Sequence, residues 1–304
     1  MALSVIALTV AGTVRGEVDR AATATDDTRA YFLAQSAIQR AVLYIQWGQA
    51  YGPPSYFQPG MGPLQFHFPA GDVSVEVRPE SSKLNINECL PADLFRLLVA
   101  LDVAPDRAQV IVQAVLDWRT PPPGNQPSAF DMFYLQQTPS FMAPHTSFQE
   151  IEELLLVRGM TPETFYGTWE RDERMQPPRL TPRIGLRDCV SIYSSGYLDV
   201  NTTPFPVLIA SGLAPEAAAA IVQQRAIQPF PSLAAIHAFT QSMGPPAGRL
   251  GFGGTTMYTL RATARPRAAN GVLSDLTRTC AALIKFNPPE SGALFHILRW
   301  YDRG

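Results

Sequence analysis

The chain has 304 residues, 46% of them hydrophobic, with 24 Lys and Arg against 26 Asp and Glu and a net charge of −2. That apolar content supports a sizeable core in one or two domains, and the near-neutral balance excludes binding driven by bulk attraction to nucleic-acid phosphate. Three cysteines, Cys89, Cys189 and Cys280, are too few for a disulfide framework and lack metal-ligand spacing; a Cys189–Cys280 bridge in an oxidising compartment and free buried thiols both stay open.

The chain opens on MALSVIALTVAGTV before Arg15. This apolar run is shorter than the roughly 20 residues that span a bilayer, and it lacks the basic n-region of a signal peptide. The helical signal continues past it. No proline occurs from Glu17 to Trp47, and Ala30, Leu33, Ala34, Ala37, Ile38, Ala41, Tyr44 and Ile45 recur at helical spacing. The pattern predicts one helix of about 45 residues, roughly 70 Å long. Its first third is apolar all round and its last third amphipathic, which suits a membrane-anchored helix whose far end packs on a soluble domain.

A Gly/Pro-rich loop follows over 48–63. Leu64–Phe68 and Val73–Val77 alternate apolar and polar residues around a PAGD turn and read as a hairpin. Helices are expected at Ala92–Leu101, Asp106–Trp118 and Phe148–Val157, with a Pro-rich loop at Arg119–Phe130 between the last two. PETFYGTWERDERMQPPRLTPR reads as a short helix and a linker. CVSIYSS and YLDV read as strands, and helices follow at Pro206–Ser211, Pro215–Arg225 and Ser232–Thr240. After the loop GPPAGRLGFGG, the segments MYTLRATARP and TCAALIKF carry strand periodicity, with AANG suited to a turn. The order predicts an α+β fold with the helices segregated.

The chain also repeats itself. Asn85-Ile86-Asn87 matches Asp199-Val200-Asn201, Ala104-Pro105-Asp106 matches Ala214-Pro215-Glu216, and Ile111-Val112 matches Ile221-Val222. Each copy is followed by a Phe-containing helix start, SFQEIEEL or PFPSLAAI. In each copy a strand ends, an Asn turns the chain, and Pro with an acid opens a helix. Such hairpins resemble helix-hairpin-helix DNA-binding modules, which grip phosphate through a Gly-apolar-Gly turn. Here those turns read Asp102-Val103-Ala104 and Gly212-Leu213-Ala214, with no lysine near either, so nucleic acid is not the expected partner.

KLNIN, VLDW (Val115–Trp118), AFDMFY (Ala129–Tyr134), IEELLLVRGMTPETF (Ile151–Phe165) and LDVNTTPFPVL (Leu198–Leu208) together resemble the type II secretion minor pseudopilin K family, the general secretion pathway protein K family. The run Glu153-Leu154-Leu155-Leu156-Val157-Arg158-Gly159-Met160-Thr161-Pro162-Glu163 is the most specific part. The resemblance implies a pilin-like fold, with a long N-terminal helix packed on an antiparallel sheet and a large all-helical insertion. It divides the chain into the helix and first strands (1–86), the insertion (87–183) and the rest of the pilin-like domain with the second hairpin (184–304).

The resemblance also implies a structural subunit at the tip of a periplasmic pseudopilus in a Gram-negative bacterium. Such a subunit is anchored in the inner membrane by its N-terminal helix and assembles with I-type and J-type minor pseudopilins and the major pseudopilin, with secreted substrate a further contact. Because Met1 falls inside the apolar helix, the start is read as shortened relative to the family. Ala34, Ala37, Ile38, Ala41 and Ile45 are the expected assembly face, turned to the protein's own sheet or to partner helices. The family's calcium cluster, Asp-Trp-x-Asp-x-Asp followed by an acidic pair, is kept here only in Asp117 and Asp131. Thr120, Pro122 and Phe130 replace the other acids, which leaves at most a weak calcium site. The alternatives carried are a helix-hairpin-helix DNA-binding protein and a type IV pilus tip adhesin. No nucleophile elbow, phosphate loop or dinucleotide fingerprint occurs, and the four histidines are scattered, so an enzyme is not expected.

Overall fold

The structure is a computed structural model describing residues 2–51, 57, 60, 62–122, 124, 127–173, 175–194, 196–252, 254, 256–268 and 270–302. Met1 and parts of the loops expected at 48–63, 119–130, 244–254 and around AANG lie outside the described residues. In chain order the elements are α1 (Ala2–Tyr51), β1 (Leu64–Phe68), β2 (Gly71–Pro79), β3 (Leu84–Asn85), α2 (Pro91–Ala100), α3 (Pro105–Arg119) and α4 (Ala129–Leu135). Then come α5 (Pro162–Tyr166), β4 (Thr168–Asp172), β5 (Arg179–Arg183), β6 (Val190–Ser191), β7 (Leu198–Asp199), α6 (Phe205–Ala210), α7 (Pro215–Ile227) and α8 (Leu233–Thr240). The last are β8 (Leu250–Gly251), β9 (Met257–Pro266), β10 (Arg278–Phe286) and β11 (Phe295–Tyr301).

The chain divides into two compact units, Met1–Arg78 with Thr255–Gly304, and Pro79–Gly254. The second is wider than the 87–183 insertion expected from sequence, because both helical hairpins share one hydrophobic core and the second does not return to the sheet.

In the first unit, α1 lies on a five-stranded sheet of order β1-β2-β9-β10-β11. The β1–β2, β9–β10 and β10–β11 pairs are antiparallel. The packing is close because both surfaces are small-sided. Ala30, Ala34, Ala37 and Ala41 meet a sheet face that includes Ala262, Ala264 and Ala282, with Ile38, Ile45, Phe66 and Leu260 filling the remaining volume. The helix is also fixed by charge, since Arg278 donates to Asp27 at 2.5 Å. β11 was not expected from sequence. It is an edge strand reading FHILRWY, with apolar residues at successive positions, so the two-residue alternation that marks a half-buried strand is blurred. From residue 12 through Arg29 no residue of α1 is buried. No helix among the described residues is long and apolar enough to cross a membrane.

The second unit is built from the repeat. In the first module β3 pairs in parallel with β6; in the second β7 pairs in parallel with β8. Asn85 and Asp199 each accept the amide of the residue two positions on, Asn87 at 3.0 Å and Asn201 at 2.9 Å. Asn87 then brackets Phe148, accepting its N–H at 2.8 Å and donating to its carbonyl at 3.0 Å. Asn201 does the same to Phe230, at 2.8 and 3.1 Å. An arginine closes each module. Arg119 donates to the carbonyls of Ile86 and Cys89, and Arg225 to those of Val200 and Thr203. The modules are joined through buried Asp93 on α2, paired with Arg96 at 2.6 Å and with Arg249 at 2.8 Å.

Two segments differ from expectation. Phe148–Val157 is not an α-helix; Ile151–Leu156 forms a 3-10 turn closed by a Glu150/Glu153 capping box. The segment read as a linker contains the hairpin β4–β5. Its strands TWERD and RLTPR carry charges and a proline and are largely exposed, so they show no apolar alternation. The three cysteines are buried and form no disulfide.

Two consequences are measurable. Asn201→Ala strands the buried backbone N–H and C=O of Phe230, and is expected to cost about 2–4 kcal/mol in denaturant unfolding. Ala37→Leu forces extra volume into a site with 0% exposure and is expected to cost about 1–3 kcal/mol.

Candidate functional site

The residues that carry the sequence motifs converge in the first module. The Trp118 ring stacks on Phe148 at 5.8 Å and meets Tyr134 edge-on at 5.8 Å. Its indole N–H donates to Glu153 at 3.2 Å. The buried Tyr134 hydroxyl accepts the Arg158 amide at 3.1 Å. Arg107 on α3 donates to the Gly159 carbonyl and to the hydroxyls of Thr161 and Thr164, holding the turn into α5. The motif residues are therefore architectural contacts.

Asp117 and Asp131, the expected calcium ligands, do come together, joined by His145, which no sequence spacing marked. One ligand-type atom from each lies within 4.8 Å of the others. Asp131 sits at the third position of α4 in a capping box with Ser128. Its Oδ2 accepts the Ser128 amide at 2.9 Å and its Oδ1 the Ala143 amide at 3.2 Å. The Ser128 hydroxyl donates to Asp117 Oδ2 at 3.1 Å. His145 Nε2 lies 2.8 Å from Asp131 Oδ2, and Nδ1 lies 2.9 Å from the Asp117 carbonyl oxygen. Burial pushes the Asp117 carboxyl up, against the Ser128 hydrogen bond and the His145 charge. Burial also works to raise Asp131, but the Ser128 and Ala143 amides and His145 outweigh it and hold the carboxyl below its usual range.

The three side chains form a candidate metal cluster with few oxygen ligands for calcium. That ion takes six to eight oxygen ligands. Here two carboxylates and one imidazole supply the donors, with the carboxylates oriented by the Ser128 and Ala143 hydrogen bonds. Beside the cluster an open cavity of about 920 Å³ is lined by Asp117, Thr120, Pro121, Phe130 and neighbouring residues.

The expected assembly residues Ala34, Ala37, Ile38, Ala41 and Ile45 are all at most 1% exposed, in the core against the sheet. Of the two orientations open from sequence, the structure turns them to the protein's own sheet. The opposite face of α1 carries Val14, Val18, Phe32, Leu43 and Trp47, each more than half exposed. At 100° per residue these five fall within an arc of roughly 60°. Sequence reasoning missed this stripe because its apolar positions are far apart and interspersed with polar residues.

The hairpin turns place positive φ at Asp102 (57°) and Gly212 (98°). The Asp102 carboxylate pairs with Arg183, so the first turn presents negative charge where a phosphate grip needs bare amides.

Comparisons with known proteins agree with this geometry. Residues 82–167 match the family model described as type II secretion system (T2SS), protein K. A search of curated proteins finds no match. Among solved structures, a chain of the GspK-GspI-GspJ complex from the enterotoxigenic Escherichia coli Type 2 Secretion System aligns with a TM-score of 0.61 at 18% identity. The alignment covers 92% of this chain and 98% of that one. The family match falls on the module that holds Trp118, Tyr134 and Gly159, and the fold match takes in nearly the whole chain.

Proposed function

We propose that this protein is the minor pseudopilin at the tip of a type II secretion pseudopilus, assembling through α1 with I-type and J-type minor pseudopilins and the major pseudopilin. The observation that carries this reading is the two-faced helix. One face is buried on the sheet, and the other presents Val14, Val18, Phe32, Leu43 and Trp47 to solvent. Aligned apolar positions on an exposed helix are the pattern by which helices recognise helices. The similarity to a chain of the GspK-GspI-GspJ complex supports pseudopilins as the occupants.

The tip position is supported by topology. The unit Pro79–Gly254 enters the chain between β2 and β9, which are hydrogen-bonded neighbours in the sheet. A subunit carrying such an insertion suits the end of a filament, where lateral packing against identical neighbours is not required. In this reading the apolar opening Met1–Val14 seats the chain at the inner membrane and the folded units lie in the periplasm, where the inserted unit is available to secreted substrate. The role is structural, carried by packing and not by catalysis.

Co-expression with I-type and J-type pseudopilins tests the interface. Phe32→Glu with Leu43→Glu is expected to reduce co-purification at least tenfold while changing unfolding free energy by no more than about 0.5 kcal/mol per site, the usual range for surface substitutions. Undiminished co-purification would remove the stripe as the interface. Deleting the gene is expected to block release of secreted proteins and to leave surface adhesion intact; the converse pattern favours a pilus adhesin.

A further inference from the structure

The two modules differ most in how the closing arginine connects to the bracketed phenylalanine. Arg225 and Phe230 are five positions apart, whereas Arg119 and Phe148 are separated by the long segment 120–147. That segment contains α4 and otherwise no regular helix or strand among the described residues. Asp117 from the end of α3, Asp131 from the first turn of α4 and His145 from the far end of the segment meet at one point.

The supports of these side chains are those of a metal site. The Asp117 carbonyl can only accept, so His145 Nδ1 carries the hydrogen in their 2.9 Å contact. A ring nitrogen held in this way to a backbone carbonyl fixes the tautomer and leaves the other nitrogen to bind a metal. That other nitrogen, Nε2, lies 2.8 Å from Asp131 Oδ2. In a neutral ring it sets a lone pair toward a carboxylate oxygen, and the two side chains are only 11% and 1% exposed. A shared cation relieves that conflict where water does not reach. The carboxylates are aimed as well. The Ser128 hydroxyl donates to Asp117, and the Ser128 and Ala143 amides donate to the two Asp131 oxygens. Asp117 also lines the open cavity, which gives an ion its way in and leaves room for water ligands.

We infer that Asp117, Asp131 and His145 bind one borderline divalent ion of the zinc class, through a carboxylate oxygen from each aspartate and Nε2 of His145, with water completing the shell from the cavity side. The nitrogen decides the class of ion. Calcium takes oxygen ligands only and needs at least six of them, whereas imidazole with carboxylate suits zinc and its d-block neighbours. The bound ion ties α3 to α4 and to the far end of segment 120–147, a stretch that the second module does not have. The site stands apart from assembly through α1, and neither reading depends on the other.

Calorimetry on the metal-stripped full chain tests this with zinc alone and then calcium alone. Zinc is expected to bind at one ion per chain, and millimolar calcium to give no heat and to leave bound zinc in place. His145→Gln is expected to weaken zinc by at least about tenfold, and the same change at His237, an exposed histidine, to leave it unchanged. A second reading uses the unsubstituted chain, so it does not require the variant to be stable. In proton NMR of the chain loaded with cobalt(II), the Nδ1 hydrogen of a ligating ring is expected as a paramagnetically shifted signal that exchanges slowly, because the Asp117 carbonyl holds it. No uptake of zinc, equal uptake by His145→Gln, displacement of zinc by an equal concentration of calcium, or a cobalt-loaded chain without the shifted signal would each overturn the inference.

Discussion

One side-chain amide satisfying both backbone groups of a distant residue organises the helical unit. Asn87 reaches Phe148 and Asn201 reaches Phe230 by the same pair of hydrogen bonds. A buried amide bracketing a backbone in this way leaves little freedom of register, since a shift of one residue would orphan both of its partners. The phenylalanine so positioned fills the core of its own module, Phe148 against Trp118 and Phe230 against Phe239. The closing arginine then consumes the carbonyls exposed where strand turns into helix. Each module is thus closed by polar groups whose partners are specific, over a core of aliphatic side chains and the bracketed aromatic rings.

This is why the repeat was legible in the sequence. Asn, Pro and an acid each have a local backbone reason to recur at fixed offsets, and both hairpins stand where those residues placed them. The α1 pattern was legible for a similar reason, since five residues at helical spacing can face only one surface. The sequence left open which surface that was. The choice depends on the alanines of β9 and β10 that lie more than two hundred residues away. The strands β4, β5 and β11 were not legible, because edge and surface strands carry no buried face to impose alternation.

The candidate cation site shows the other limit. Asp117 and Asp131 were identified through a family pattern that puts acids at neighbouring positions. The residue that joins them, His145, comes from the far end of a long loop, 14 positions beyond Asp131 and 28 beyond Asp117. No periodicity links those positions; tertiary closure of the module, to which Asn87 contributes, brings them together. Thr120 and Pro122 stand in place of acids, and the cluster that remains is Asp117, Asp131 and His145.

The place of the insertion also orders events during folding. β2 ends at Pro79 and its neighbour β9 begins at Met257, so zipping that pair in an unstructured chain means closing a loop of the whole intervening segment. The length-dependent entropy alone is roughly 4–5 kcal/mol. Collapse of the repeat unit draws those ends together and removes most of that barrier, which places sheet closure last. Until then two alternating apolar strands wait with open edges. The speed at which the repeat unit collapses therefore governs how long the sheet is exposed to mispairing with strands of other molecules.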